Sequence, residues 1–274
     1  MRPRRRHNLA RLAVVTAVAL CATVLPAALT ATGSEAGATT PTAQTGPPFV
    51  PQIGAIFFPS VLGSSLLLGL PHTCSGSVVH SAGRDLVLTA AHCVYGSGVG
   101  YDFAPAYHDG IAPYGVWSAT RVYVDPAWAK GHDPAHDYAF LQVQPRSIHG
   151  TRTNIEDVTG SYTLGAAPAV GTAVTVSGYL LGSKDEPLHC TASVYDTAGY
   201  PSFDCGGYGD GTSGGPWVIG STVVGVIGGL HQGGCTDSTT YSAPFGADTL
   251  ADWQRASTGS RPDFVTPPGG PGCG

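Results

Sequence analysis

The chain has 274 residues, of which 11% are charged, and it carries 39 glycines and 22 prolines. That composition excludes a helical bundle or coiled coil and fits many short strands joined by turns, in one β domain or two small ones. The formal charge is −5; loss of residues 1–38 removes five of the thirteen basic residues and one acid and leaves −9, a surface suited neither to nucleic acid nor to an anionic membrane.

Residues 1–38 begin with Arg2, Arg4, Arg5 and Arg6, run through an apolar stretch from 12 to 29 and end in Ala36-Gly37-Ala38. The pattern is that of a secretory signal peptide and implies a secreted, extracellular protein. Thr16, Thr23 and Pro26 interrupt the run and no stop-transfer pattern follows, which argues against stable membrane association. Residues 39–52 are rich in Thr and Pro, have little to bury and read as a linker or short propeptide.

An N-terminal β half is expected over residues 53–145. Ile53-Gly54-Ala55-Ile56-Phe57 forms a first strand, and residues 72–80 and 84–89 flank the turn Ser81-Ala82-Gly83, which brings Cys74 near Cys93. The apolar Leu86-Val87-Leu88 runs into Thr89-Ala90-Ala91-His92-Cys93. Two more strands fall between 101 and 125, the clearer over 116–124. A polar loop over 125–136 ends at Asp137, which heads the apolar Tyr138-Ala139-Phe140-Leu141; Asp133, before a proline inside the loop, has no such run after it.

Residues 146–257 are expected to form a second β half that ends in a helix. A long connection leads from 145 to 170, and a strand follows over 172–179. Residues 188–195 and 200–205 flank a turn at 196–199, with Cys190 and Cys205 at equal distances from its centre and within disulfide reach. Next comes Gly209-Asp210-Gly211-Thr212-Ser213-Gly214-Gly215-Pro216, ahead of the apolar Trp217-Val218-Ile219. Glycines around Ser213 admit dihedrals closed to other residues and let a substrate approach the main chain. The N–H groups of Gly211 and Ser213 are candidates to hold a negative oxygen. Beyond a further hairpin lie Leu230-His231-Gln232-Gly233-Gly234-Cys235, a last strand at 239–245 and a helical spacing over 246–257. Residues 258–274, rich in Pro and Gly, read as a flexible tail.

A serine hydroxyl becomes a useful nucleophile when a base takes its proton and an acid orients that base. His92 and Asp137 are the candidates, and the chain order is His, Asp, Ser. Thr89-Ala90-Ala91-His92-Cys93, Asp137-Tyr138-Ala139-Phe140-Leu141 and Gly211-Thr212-Ser213-Gly214-Gly215-Pro216 resemble the signature blocks of the chymotrypsin/trypsin-like serine endopeptidases, a resemblance that covers residues 53–254. It implies an all-β fold of two six-stranded antiparallel β-barrels with a short C-terminal helix. It also implies hydrolysis of polypeptide substrates through a triad of Ser213, His92 and Asp137, an acyl-enzyme intermediate, an oxyanion hole at Gly211 and Ser213, and a Cys74–Cys93 disulfide. No cofactor and no metal are expected, and the protein is expected to be a monomer.

Thr212 departs from the digestive members of that family, which carry there an Asp that pairs with a newly cut N-terminus. It resembles the secreted bacterial branch that includes the glutamyl endopeptidases. In that branch a histidine before a Gly-Gly pair reaches the side chain preceding the cut, and His231 is similar to it, which implies a preference for an acidic residue. Gln232 stands where that branch has an aromatic residue. Gly207, six residues before Ser213, weakens a preference for Lys or Arg.

With Cys21 lost in the signal, six cysteines remain, an even number in a secreted chain. Cys190 with Cys205 leaves Cys235 with Cys273; the alternative Cys205–Cys235 resembles a pairing in related bacterial proteases and strands Cys190. Catalytically silent binding on the same fold is the rival function. A serine esterase of the α/β-hydrolase type shares the letters Gly-x-Ser-x-Gly, but it needs a helix after the serine and a histidine last in chain order. His72, His80, His108, His132, His136, His149 and His189 have no partner block and read as surface or hairpin residues.

Overall fold

The computed structural model describes residues 40–46, 49–59, 65–66, 68–181, 186–270 and 273. The signal-peptide reading of residues 1–38 lies outside them. Six strands form a closed barrel: β1 (Ile53–Phe57), β2 (Cys74–Val79), β3 (Leu86–Thr89), β4 (Asp102–Pro105), β5 (Trp117–Val124) and β6 (Ala139–Val143). Neighbouring strands are antiparallel, and β1 closes the ring by pairing with both β2 and β4. The first three strands are buried along their whole length, so both faces need cover and neither edge can be left to water. A bulge between Ala119 and Arg121 bends β5 around the ring.

The second half contains β7 (Ala173–Tyr179), β8 (Pro187–Ser193), β9 (Tyr200–Asp204), β10 (Pro216–Ile219), β11 (Thr222–Val226) and β12 (Thr239–Tyr241). They are divided between a six-stranded sheet, ordered Gln44–Thr45, β8, β7, β10, β11, Thr163–Leu164, and a three-stranded sheet of Tyr195–Thr197, β9 and β12. The second barrel is thus two sheets whose ladder does not close, and Thr163–Leu164 joins β11 in parallel register. Two local features stop the ladder. Where β11 ends, the Val226 N–H donates to the Ser242 hydroxyl at 3.1 Å in place of a strand carbonyl. At the other junction Val194 bonds back to Gly171 and Thr172, so the chain leaves one sheet before it enters the other. The sheets share a core around Val176, Phe203 and Trp217, each at zero exposure.

Disulfides join Cys74 to Cys93, Cys190 to Cys205 and Cys235 to Cys273, which decides the pairing that the sequence left open. The second of these lies outside the hairpin ladder, which ends at Tyr195 and Ser202; it staples one sheet to the other with a Cα separation of 6.7 Å. Disulfides of this kind belong to an oxidising environment. Among the described residues no helix is long and apolar enough to cross a membrane.

Several stretches of low-information sequence carry specific contacts. The segment read as a linker or short propeptide contributes Gln44–Thr45, paired with His189 and Leu188 of β8. The connection between the halves folds into a hairpin of Arg146–Ile148 and Thr151–Thr153 and a short helix, Ile155–Thr159. His72, expected at the surface, is 1% exposed and lies among the rings of Phe57, Tyr107 and Tyr179. The segment read as a flexible tail packs on the first barrel. Val265 is fully buried and exchanges hydrogen bonds of 2.7 and 2.8 Å with Gly96, while the Asp263 N–H donates to the Val122 carbonyl at 2.9 Å.

The C-terminal helix, Ala247–Ser257, is anchored by Arg255, which donates to the Val124 carbonyl at 3.2 Å and to Asp263 at 2.8 Å; within the helix the Asp252 carboxylate accepts from the same guanidinium at 2.6 Å. Burial pushes the Asp252 carboxyl up to about 6, with Arg255 opposing. A carboxyl with a raised folded pKa holds its proton more readily when folded, so its contribution is most favourable near pH 4 and is lost as pH rises through about 6. Thermal melts across that window should show this slope in the wild type and a flatter profile in Asp252→Asn; identical profiles would remove Asp252 as its source.

Candidate active site

His92 follows β3 directly, on the single 3₁₀ turn Ala91–Cys93, and its neighbour Cys93 is bonded to Cys74 on β2. The loop before β6 ends in another such turn, Pro134–His136, capped by Asp133, whose carboxylate accepts from the Ala135 N–H at 3.0 Å. Asp133 is therefore occupied in capping, and Asp137 is the acid carried into the interior, at zero exposure. Its Oδ1 accepts from the His92 backbone N–H at 2.9 Å, and its Oδ2 accepts from His92 Nδ1 at 2.7 Å and from the Gly229 N–H at 2.9 Å. A buried carboxylate left without donors would cost several kcal/mol, so these three N–H groups are what permit an acid here. With Nδ1 turned to Asp137, Nε2 is the nitrogen of His92 left to take up a proton.

Ser213 shares one cleft with His92, together with Gly211 and Thr212; the cleft encloses about 710 Å³. The turn around the serine is shaped by close backbone approach. Gly214 has φ +78°, and a methyl group there would run into the Thr89 hydroxyl and the Ser75 carbonyl. At Gly211, φ +91°, a methyl would stand 2.6 Å from the Leu181 nitrogen and 2.7 Å from the Tyr179 carbonyl. Only glycine meets both demands without strain. Thr212 is buried, and its hydroxyl donates to the Gly209 carbonyl at 2.7 Å, so the turn is braced from within. Among the described residues the Gly211 and Ser213 N–H groups have no hydrogen-bond acceptor. Two free donors beside a hydroxyl suit an oxygen that gains negative charge during a reaction.

Ser75, on β2, is the positioning residue that the sequence did not reveal. Its N–H donates to the Ser213 carbonyl at 2.7 Å and its hydroxyl donates to the Gly211 carbonyl at 3.0 Å. The same hydroxyl accepts from the Tyr179 N–H at 2.8 Å, and the Ser75 carbonyl takes the Thr89 hydroxyl at 2.8 Å. One fully buried serine of the first barrel thereby holds the turn around Ser213 in the second half. Its position directly after Cys74 was the available sequence signal, and it is a weak one.

The opposite wall of the cleft is the turn Leu230–Gly233, continued by Gly234 and Cys235. His231 lies there half-buried, and both His231 and Gln232 adopt left-handed backbone, with φ of 52° and 55°. Asp210 and Asp237 also line the cleft, and both are exposed. Two groupings bring a histidine near two cysteines, Cys74 with His92 and Cys93, and His231 with Cys235 and Cys273. In each the sulfurs are joined in a disulfide, which leaves a single imidazole donor and a poor fit for a metal.

Residues 74–226 match the model of a trypsin-like peptidase domain. The structure is similar to the protease Anisep from Arthrobacter nicotinovorans, with 28% identity and a TM-score of 0.65 over 78% of this chain and 99% of that one. It is also similar to the thermostable serine protease AL20 from an extremophilic microorganism, with 26% identity and a TM-score of 0.63 over 76% of this chain and 97% of the other. A Glu endopeptidase, solved in complex with MPD, shares the fold at 18% identity and a TM-score of 0.60, over 80% of this chain and 97% of its own. No curated protein matches the sequence.

Ser75→Ala leaves the buried Tyr179 N–H and Gly211 carbonyl without a partner, a loss of about 1 to 3 kcal/mol of stability. Denaturant titration should register it as a lower midpoint at unchanged slope. An unaltered midpoint would mean that water or a neighbour replaces the hydroxyl.

Proposed function

Because the chain belongs to the trypsin-like peptidase family and is a serine endopeptidase, we propose that Ser213, His92 and Asp137 are its catalytic triad and that it favours an acidic residue before the cut. The observation that carries the triad is the grip of one buried carboxylate on both the backbone N–H and the Nδ1 of His92, in a cleft shared with Ser213. His92 Nε2 takes the Ser213 proton as the oxygen attacks the substrate carbonyl. Gly211 and Ser213 N–H groups hold the oxyanion, and the imidazolium then protonates the leaving amine to give an acyl-enzyme. Water repeats the sequence and releases the acid. Asp137 keeps one tautomer of His92 and stabilises the imidazolium while it exists.

The acidic preference rests on His231. It is half-buried in the wall of the cleft that also holds Ser213, where a bonded carboxylate would be less screened than at the surface. Asp210 and Asp237 oppose it from exposed positions, where water weakens them. Gln232, at the place of an aromatic residue in glutamyl endopeptidases, is turned away to the Gly269 carbonyl at 2.9 Å, which leaves His231 as the side chain to meet the substrate. Polypeptides are the substrates, and the signal-like first 38 residues and three disulfides support action outside the cell.

Incubation of the protein with a complex peptide library, followed by sequencing of new ends, tests both parts. Wild type should cut after Glu or Asp, Ser213→Ala should lose on the order of a millionfold in kcat, and Asp137→Asn about ten-thousandfold. Cuts after other residues would discard the role of His231 and keep the triad. Full turnover by Ser213→Ala would discard the triad.

A further inference from the structure

The wall that carries His231 is not held by the barrels alone. His231 and Gln232 stand side by side in left-handed backbone, a conformation unfavourable for non-glycine residues that persists where surroundings enforce it. The turn's own bonds, Gln232 N–H to the Gly229 carbonyl at 2.9 Å and Gly234 N–H to the His231 carbonyl at 3.2 Å, close within the turn and its flank. The barrels hold the turn through the His231 ring, edge-on to Tyr241 at 6.3 Å, and through the Gly229 N–H on Asp137; two further links run to the C-terminal segment, where Gln232 Nε2 donates to the Gly269 carbonyl at 2.9 Å and Cys235 is bonded to Cys273. The sulfurs of both cysteines and a ring nitrogen of His231 lie within 4.8 Å of one another, so the disulfide packs against the imidazole itself.

That segment is moored at its other end to the barrel that bears His92 and Asp137. Val265 is paired with Gly96, four residues after His92. The Val124 N–H donates to Asp263 Oδ2 at 3.0 Å, and His132, on the loop that leads to Asp137, meets the Thr266 carbonyl at 3.1 Å. From Asp263 to Gly269 the chain therefore runs from one half of the protein to the substrate wall of the other, where Cys273 is bonded as well.

From these contacts we infer that residues 263–270 and Cys273 act as a positioning strap, which sets the conformation of the wall of the cleft and through it the placing of the residue before the cut. The inference rests on the reading of this cleft as the substrate site. Cys235, Cys273 and Gln232 act through the wall; none takes part in bond making. Release of the strap leaves the triad and the Ser75 bonds untouched but lets the turn relax from its left-handed form. If about a tenth of molecules then keep the receptive wall, apparent affinity for a peptide falls about tenfold.

The test compares wild type, Cys235→Ser/Cys273→Ser, Gln232→Ala and His231→Ala on two peptides that differ only in Glu or Gln before the cut. Labelling by a small fluorophosphonate serves as a readout that does not need the wall. The double cysteine variant should raise KM about tenfold on the better peptide, with kcat within about twofold and an unchanged labelling rate. Gln232→Ala keeps the disulfide and should shift KM the same way by about threefold, a check that stands if the double variant fails to fold. An unchanged KM in both variants would reduce the strap to a fastening of the fold, and equal losses of labelling and turnover would mean that it supports the nucleophile turn instead. His231→Ala separates the two readings: an unchanged Glu-to-Gln ratio removes the acidic preference, while the KM of the strap variants still judges the strap.

Discussion

The buried carboxylate of Asp137 is the constraint on which the arrangement turns. At zero exposure it cannot be solvated, and its donors come from three places: the backbone and the ring of His92, both on the first barrel, and the Gly229 N–H of the second half. No single half supplies the full set. Docking of the halves and solvation of this charge are one event, and the tautomer of His92 is settled by it. That N–H is presented three residues beyond the end of β11, where Gly229 takes left-handed backbone with φ of 78°.

A complementary dependence runs the other way through Ser75. The residue belongs to the first barrel, yet its hydrogen bonds go to the turn around Ser213 and to the end of β7. The turn around Ser213 is therefore held from the first barrel, while the carboxylate that grips His92 takes its third donor from the second half. Such crossed support, added to a core cluster that draws Tyr179, Val223 and Phe245 of the second half into the first, lets the two halves behave as one rigid frame, because any sliding between them breaks buried hydrogen bonds.

The parts of this frame that could be read from sequence are those written in short stretches. A histidine after an apolar strand, an acid at the head of another and a serine among glycines each express local geometry, and their order along the chain added the rest. Asp133 and Asp137 could be told apart because only Asp137 heads an apolar strand; Asp133, before a proline in the polar loop, is found capping the next turn. Ser75 was illegible because its partners lie 136 residues away, and a serine in a strand looks the same whether it faces a neighbour or water. Closure of a sheet is equally silent, since alternation tells which face of a strand is buried and not whether its edge is met. Composition misled at the C-terminal side: a Pro- and Gly-rich stretch has little to bury, but Val265 and Asp263 suffice to fix it where the barrel offers a matching groove. The pairing of Cys235 stayed ambiguous for the same reason, as its partner lies beyond the last element with any periodicity.

The position of Cys273 in chain order has a consequence for how the molecule is made. Chains fold largely in the order in which they emerge during synthesis, and both halves, with His92, Asp137 and Ser213, precede the strap. A nascent chain can therefore build its frame and the turn around Ser213 before the partner of Cys235 exists. For that interval Cys235 is an unpaired thiol at the mouth of a formed cleft, open to exchange with other thiols. Closure of this disulfide then waits on the emergence of Cys273, 38 residues further along, and on the oxidant it meets there.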